Sequence, residues 1–232
     1  MNMFSRPIAA VGVFLCLALS ACGDPEPTQR KEFIEFLQTR ILDKKGAHVP
    51  QLSGNQKEAF GPYVKDYAII SDFATNPDRE RYNSTMKKLS SIRSLGELMA
   101  RREDIVAFQN LIAENRGGDE QRFTTAEAAK AQLKQPDDLK AVFDKAYQRD
   151  VIEVAERGRR GAQVLGDFTA AALRVSDFIA THKDGVEVTG SMITAKDQKT
   201  LSALQPLLND FNVKSQAVLE LDRAMRALRI ND

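Results

Sequence analysis

Leu19-Ser20-Ala21-Cys22 is the tetrad in this chain that most directly specifies a reaction. Small residues before a cysteine, closing an apolar run from Pro7, have the form of a lipobox. Cleavage between Ala21 and Cys22 exposes the cysteine as a new N-terminus. Its thiol can then take a diacylglyceryl group and its amine a third acyl chain. Upstream, Arg6 gives a short basic region and residues 8–19 an apolar one, the layout of an export signal. A spanning helix needs about 20 apolar residues, and residues 8–21 fall short of that before Gly23-Asp24-Pro25. Each buried CH₂ adds about 0.8 kcal/mol and one myristoyl chain alone binds reversibly, so three chains on Cys22 imply a lasting anchor. Gly23 stands where lipoproteins kept at the inner membrane often carry Asp, which points to the outer membrane and a domain facing the periplasm.

Cysteine chemistry ends there. Cys16 leaves with the signal, so the mature chain has no disulfide, thiol nucleophile or cysteine metal site. His48 and His182 fall near predicted helix ends, where a histidine serves terminal carbonyls more often than a metal. Neither a metal nor a cofactor is expected. No His-Glu-x-x-His, Gly-rich phosphate loop or Gly-x-Ser-x-Gly turn occurs. Paired carboxylates could flank a glycosidic bond, yet Asp66, Asp72, Asp137, Asp138, Asp167 and Asp177 fall where caps or solvated helix faces would put them.

Two further groups qualify as candidates. Arg157, Arg159 and Arg160 form the densest basic cluster, with Arg149 upstream, and could contact phosphate or an acidic partner. Glu153 and Glu156 offset them as on a solvated face. Phe60, Tyr63, Tyr67 and Phe73 surround Pro62 at core-like helical spacing. Tyr63 and Tyr67 are the candidates for lining a ligand cleft, because a buried phenol needs a polar partner.

The 232 residues include 33 Lys and Arg against 32 Asp and Glu, and loss of Arg6 with the signal makes the balance even. An even balance argues against nucleic acid and against a polybasic membrane patch. Residues 1–21 are read as signal, 22–28 as lipidated cysteine and tether, and 29–232 as one helical domain. Pro25 and Pro27 make residues 23–28 a stiff extended tether on the order of 20 Å long.

Apolar spacing of three and four predicts a helix over residues 29–44. Ser53 and Gln56 form a capping box, Pro62 opens the next helix, and Pro77 divides or kinks it before Tyr82, Met86, Leu89 and Ile92 resume the stripe. Ser94 and Glu97 open a long segment that Gly117-Gly118 should break or bend, with helix again over 125–135. A short helix spans 137–149. A long one follows with a seam from Val151 to Ile179, its start capped by Asp150 and Glu153. Gly158 and Gly161 fall on that seam, which suits close approach of a neighbouring backbone. Residues 185–194 can form a small hairpin around Gly190-Ser191, and a final helix, with Pro206 near its start, spans 195–229. The fold class is all-α: an elongated bundle of long helices with short connections and one small hairpin.

Three stretches, Gln29-Arg30-Lys31-Glu32-Phe33-Ile34-Glu35-Phe36-Leu37, Phe60-Gly61-Pro62-Tyr63-Val64-Lys65-Asp66-Tyr67-Ala68-Ile69 and Leu133-Lys134-Gln135-Pro136-Asp137-Asp138-Leu139-Lys140-Ala141-Val142-Phe143-Asp144, carry a resemblance. In order and spacing they resemble the YiaF-like family of proteobacterial lipoproteins, a domain of unknown function. The resemblance implies a secreted, lipid-anchored, mostly helical domain and transfers no catalytic residue.

The favoured function is a non-enzymatic envelope lipoprotein that contacts another envelope protein or maintains the envelope. The alternative is a binder of a small molecule or lipid between helices, near residues 60–73 and the Gly158/Gly161 seam. A hydrolase of cell wall or lipid is the remotest of the three.

Overall fold

The computed structural model describes residues 24–91, 94–190 and 192–229. The signal segment with Cys16, the cleavage pair Ala21 and Cys22, and also Ile92 and Ser191 lie outside them, as do the side chains of Leu89 and Leu228. Helix α1 (Glu26–Phe36) starts three residues before the expected Gln29, so residues 26–28 are helical rather than an extended tether. Pro27 sits in its first turn, where a fixed φ suits the helix and the missing N–H loses no partner. The Asp24 carboxylate accepts the Glu26 N–H at 3.0 Å. The helix then widens into a π turn, Leu37–Leu42.

Residues 43–53 form a strap without regular structure. The capping box at its end is reciprocal: Ser53 Oγ accepts the Gln56 N–H at 3.3 Å, and Gln56 Oε1 accepts the Ser53 N–H at 2.9 Å. It opens α2 (Gly54–Phe60). A tight turn at Gly61–Tyr63, with Gly61 at φ +51°, leads into α3 (Val64–Ala74). Asn76-Pro77 separates α3 from α4 (Arg79–Ser90), as the proline predicts.

Ser94 Oγ accepts the Glu97 N–H at 3.2 Å and caps a short α5 (Leu95–Ala100); Arg101 separates it from α6 (Arg102–Lys130). Gly117-Gly118 neither breaks nor ends α6. Phe108, Leu111 and Ile112 on one side and Ala126 on the other are buried, and that packing outweighs about 1 kcal/mol of lost propensity per glycine. The helix stops at Lys130, short of the expected Gln135; a turn follows at residues 131–132, and Pro136 keeps Gln135 out of helical backbone.

The expected short and long helices are one rod: α7 (Asp137–Tyr147), a second π turn (Gln148–Ile152) and α8 (Glu153–Thr181). At 1.5 Å per residue it is roughly 68 Å long. Asp150 and Glu153 therefore cap no helix start. Strands β1 (Val186–Thr189) and β2 (Met192–Ala195) pair antiparallel as the expected hairpin, Thr189 facing Met192 across Gly190 at φ +61°. Asp197 Oδ1 accepts the Thr200 N–H at 2.8 Å and opens α9 (Gln198–Arg229), which continues through Pro206.

The fold is all-α with one small hairpin. Helix α8 packs between α6 and α9. The largest core, where α1, α2, α3, α7 and the end of α6 meet, is aromatic: Phe33, Phe36, Phe60, Tyr67, Phe143 and Tyr147. Smaller clusters line the shaft, around Phe108 and Leu165, then Ile105 and Ala172, then Val175 and Leu204. The seam of α8 is filled at Val151, Leu165, Ala172, Val175 and Ile179. It is open at Gly158, and Gly161 meets only the Leu221 side chain at 4.0 Å. The expected close backbone approach is absent there, because the neighbouring α9 contributes a leucine side chain.

Helical glycines with open space at Cβ are pure propensity losses. Gly117→Ala and Gly158→Ala should each stabilise the chain by about 0.5–1 kcal/mol, whereas Phe143→Ala should destabilise it by about 3–5 kcal/mol. Urea unfolding followed by circular dichroism measures all three, and a destabilised Gly117→Ala would contradict an uninterrupted α6.

Candidate functional site

Residues 143, 146, 147, 150 and 151 share one face of a helix, so the periodicity that buries Phe143 and Tyr147 also turns Asp150 inward. Asp150 is 1% exposed and sits within the second π turn beside Val151, which is fully enclosed. Neither of its oxygens closes a hydrogen bond of full geometry, and the backbone donor that faces them is the His48 N–H. Burial pushes this carboxyl up to about 6, against the opposing pull of Arg149, Arg157 and the His48 backbone N–H. Single π turns inside α-helices recur at functional sites.

The adjacent Arg149 turns the other way and ties down the end of the first π turn. Its Nη1 donates to the carbonyls of Ile41 and Leu42, each at 2.8 Å, and its Nη2 to those of Lys44 and Gly46. These carbonyls include helix-terminal groups without an intrahelical partner, and a guanidinium offers five donors in a fixed fork. Gly46, at φ +71°, turns the strap back within reach. Further along the strap, the Tyr67 hydroxyl donates to the Pro50 carbonyl at 2.5 Å. Burial, and then the Asp150 charge, raise the Tyr67 phenol above its ordinary value.

The candidate residues read from sequence are placed as follows. Tyr63 stacks on Phe33 at 5.8 Å and donates its hydroxyl to Glu26; burial and that bond push its phenol up to about 12. Tyr67 meets Phe36 edge-on at 5.2 Å. Both rings therefore belong to the aromatic core, with their hydroxyls engaged. The three arginines diverge. Arg157 reaches Glu153 at 3.4 Å, Arg160 points to solvent, and Arg159 forks onto Glu120 at 2.7 and 2.8 Å while lying over the Phe123 ring. That fork holds the Glu120 carboxyl below its usual range.

His48 is exposed on the strap; His182 stacks on Phe178 at 4.1 Å, with Nδ1 2.9 Å from the Phe178 carbonyl. Asp66 accepts from Gln135 at 2.6 Å, and its carboxyl is raised by burial. Asp138, Asp167 and Asp177 pair with Arg30, Lys214 and Arg102. Among the described residues no group of three His, Cys, Asp or Glu side chains could hold a metal.

Two concavities are open to solvent. A groove of ≈ 450 Å³ runs between α6 and α8, lined by Gln109, Ile112, Arg116, Gly117, Ala162 and Gly166 among others. The carboxylate in its lining is Glu120, already held by Arg159, so it offers no acidic pair for hydrolysis. A polar bowl of ≈ 420 Å³ beside residues 131–136 is lined by Lys130, Lys134 and Lys140 with Glu127 and Asp144. Asp144 binds Lys130 at 3.0 Å and Lys140 at 2.5 Å.

Sequence reading named Arg149 with the basic cluster and Asp150 as a helix cap, and missed the Arg149 fork on backbone carbonyls, the burial of Asp150 and the strap. The available signal was Asp150 falling on the buried stripe of residues 143, 147 and 151. Its raised carboxyl fixes a pH dependence. The folded chain holds a proton that the unfolded chain, with an ordinary carboxyl near 3.8, releases, so this stability is fully present below about pH 4 and lost as pH rises through 6. The span corresponds to about 3 kcal/mol. Asp150→Asn should match the parent near pH 4 and exceed it by about 1–3 kcal/mol at pH 8 in urea unfolding. Arg149→Ala should cost about 2–3 kcal/mol, and Arg149→Lys should recover little, since one ammonium cannot span four carbonyls.

The family described as "Protein of unknown function (DUF3053)" matches residues 8–225. The "Uncharacterized protein YiaF" of Escherichia coli strain K12 and that of Shigella flexneri are each 28% identical over 218 residues, covering 91% of this chain and 89% of theirs. No solved structure matches. The three stretches that carried the resemblance, residues 29–37, 60–69 and 133–144, build walls of the aromatic core, and with the match covering nearly the whole sequence the chain belongs to the DUF3053 family.

Proposed function

We propose that this protein is a lipid-anchored component of the bacterial envelope, held by acyl chains on Cys22 at the outer membrane with its body in the periplasm. That body binds another envelope protein rather than catalysing a reaction. The carrying observation is the tetrad Leu19-Ser20-Ala21-Cys22, its cysteine only four residues before Glu26, where α1 begins. Acylation at Cys22 would leave the helical body within about 14 Å of chain from the lipid. Among the described residues no helix is long and apolar enough to cross a membrane, and the acyl chains would supply that contact.

We assign the partner to the groove between α6 and α8. Gly117 and Gly166 leave open space where a Cβ would project. The same groove supports the second reading, capture of a small molecule or lipid, in a different place from the core around residues 60–73.

Cys22→Ser should move the chain from the membrane fraction to the soluble one and abolish incorporation of labelled palmitate; retention of both would refute the anchor. A photo-crosslinker at Gln163 in the groove should capture one envelope protein repeatedly. A bound small molecule in native mass spectrometry, with no protein captured, would favour the second reading.

A further inference from the structure

The strap of residues 43–53 is joined to the body by few and polar ties. They are the Arg149 fork on the Lys44 and Gly46 carbonyls and the Tyr67 hydroxyl on the Pro50 carbonyl, with Val49 and Leu52 only partly buried on the aromatic core. Against it lies Asp150, enclosed and faced by the strap's His48 N–H, with neither oxygen in a hydrogen bond of full geometry. The charged and titratable groups acting on Asp150 are Arg149, Glu153 and Arg157 from its own rod and the Tyr67 phenol from α3; the strap contributes the His48 N–H, and α6, which also touches this turn, brings Glu127 and Lys130 onto the neighbouring Tyr147.

We propose that the strap is a proton-controlled latch, closed over Asp150 while the carboxyl is neutral and lifted when the carboxyl ionises. A neutral carboxyl can be enclosed at modest expense, whereas an ionised one without hydrogen bonds cannot. Water can reach Asp150 either by disrupting the core around Phe143 and Tyr147 or by lifting the strap. Lifting the strap breaks hydrogen bonds that water replaces, and it keeps the aromatic rings covered by one another.

Lifting also releases the Arg149 Nη2 from the strap carbonyls of Lys44 and Gly46. The freed cation is one residue from the new carboxylate, and although adjacent helical side chains do not face one another its charge favours the ionised form. The element therefore has two internally consistent states: Arg149 on the strap carbonyls with Asp150 neutral, or Arg149 beside an ionised Asp150 with the strap hydrated. The bond from Arg149 to Ile41 and Leu42 makes the end of α1 the hinge from which the strap leaves.

Hydrogen exchange of the intact chain, resolved by peptide and corrected for intrinsic rates, tests the latch between pH 5 and pH 8. Protection in residues 43–53 should fall on the order of tenfold across that range, with α6 and α8 unchanged. In Asp150→Asn the strap should stay protected at both ends of the range. A pH-independent strap in the parent, an unaltered pH response in Asp150→Asn, or loss of protection in α6 and α8 together with the strap would each overturn the latch. Should Asp150→Asn fail to fold, carboxyl ¹³C titration of the unaltered chain replaces it. A midpoint near 6 supports the latch, and one in the ordinary carboxylate range overturns it.

Discussion

The guanidinium of Arg149 directs its donors at four carbonyls of residues 41, 42, 44 and 46, more than a hundred positions earlier in the chain. That single fork joins the end of α1 to the turn in the long rod between α7 and α8. Everything else in the aromatic core is arranged around this junction. α1 brings Phe33 and Phe36 to it, the α2–α3 corner adds Phe60 and Tyr67, and the rod supplies Phe143 and Tyr147. Apolar packing gives such a core most of its stability but little directional information. The fork supplies direction, because a planar set of donors accepts only one arrangement of strap and rod.

The same junction concentrates the polar tension of the molecule. Asp150, next in sequence to Arg149, points into the apolar interior, and the arginine that could neutralise it is committed to backbone carbonyls. Elsewhere the charges are settled locally. Arg159 with Glu120, Arg102 with Asp177 and Lys214 with Asp167 tie α6, α8 and α9 along their exposed flanks. Exposed pairs of this kind contribute little stability each but help to fix which helix face meets which. The shaft thus adds many weak surface ties to its apolar clusters, and the head adds one directional fork to its aromatic core.

Much of the backbone was legible in the sequence because its signals are local. Pro77 divides α3 from α4, Ser53 and Gln56 close a capping box, and residues 186–195 form the hairpin. Errors arose where a local signal met a distant partner. Gly117-Gly118 reads as a break, yet packing on both sides carries α6 across it. Asp150 ahead of an apolar run reads as an N-cap, yet the rod is continuous and the residue sits inside it. The partners of Arg149 are backbone carbonyls, which have no side-chain signature at all. The head of the molecule was therefore legible in its aromatic residues and illegible in what orients them.

The second π turn has a geometric meaning beyond its local chemistry. It houses one residue more than an α-helix of the same rise, so it shifts the rotational phase of the rod by about 100°. Upstream of it the rod shows its apolar stripe to α1 and α3; downstream it shows one to α6 and α9. The turn lies where a single unbroken helix leaves the aromatic core and enters the clusters it shares with α6 and α9.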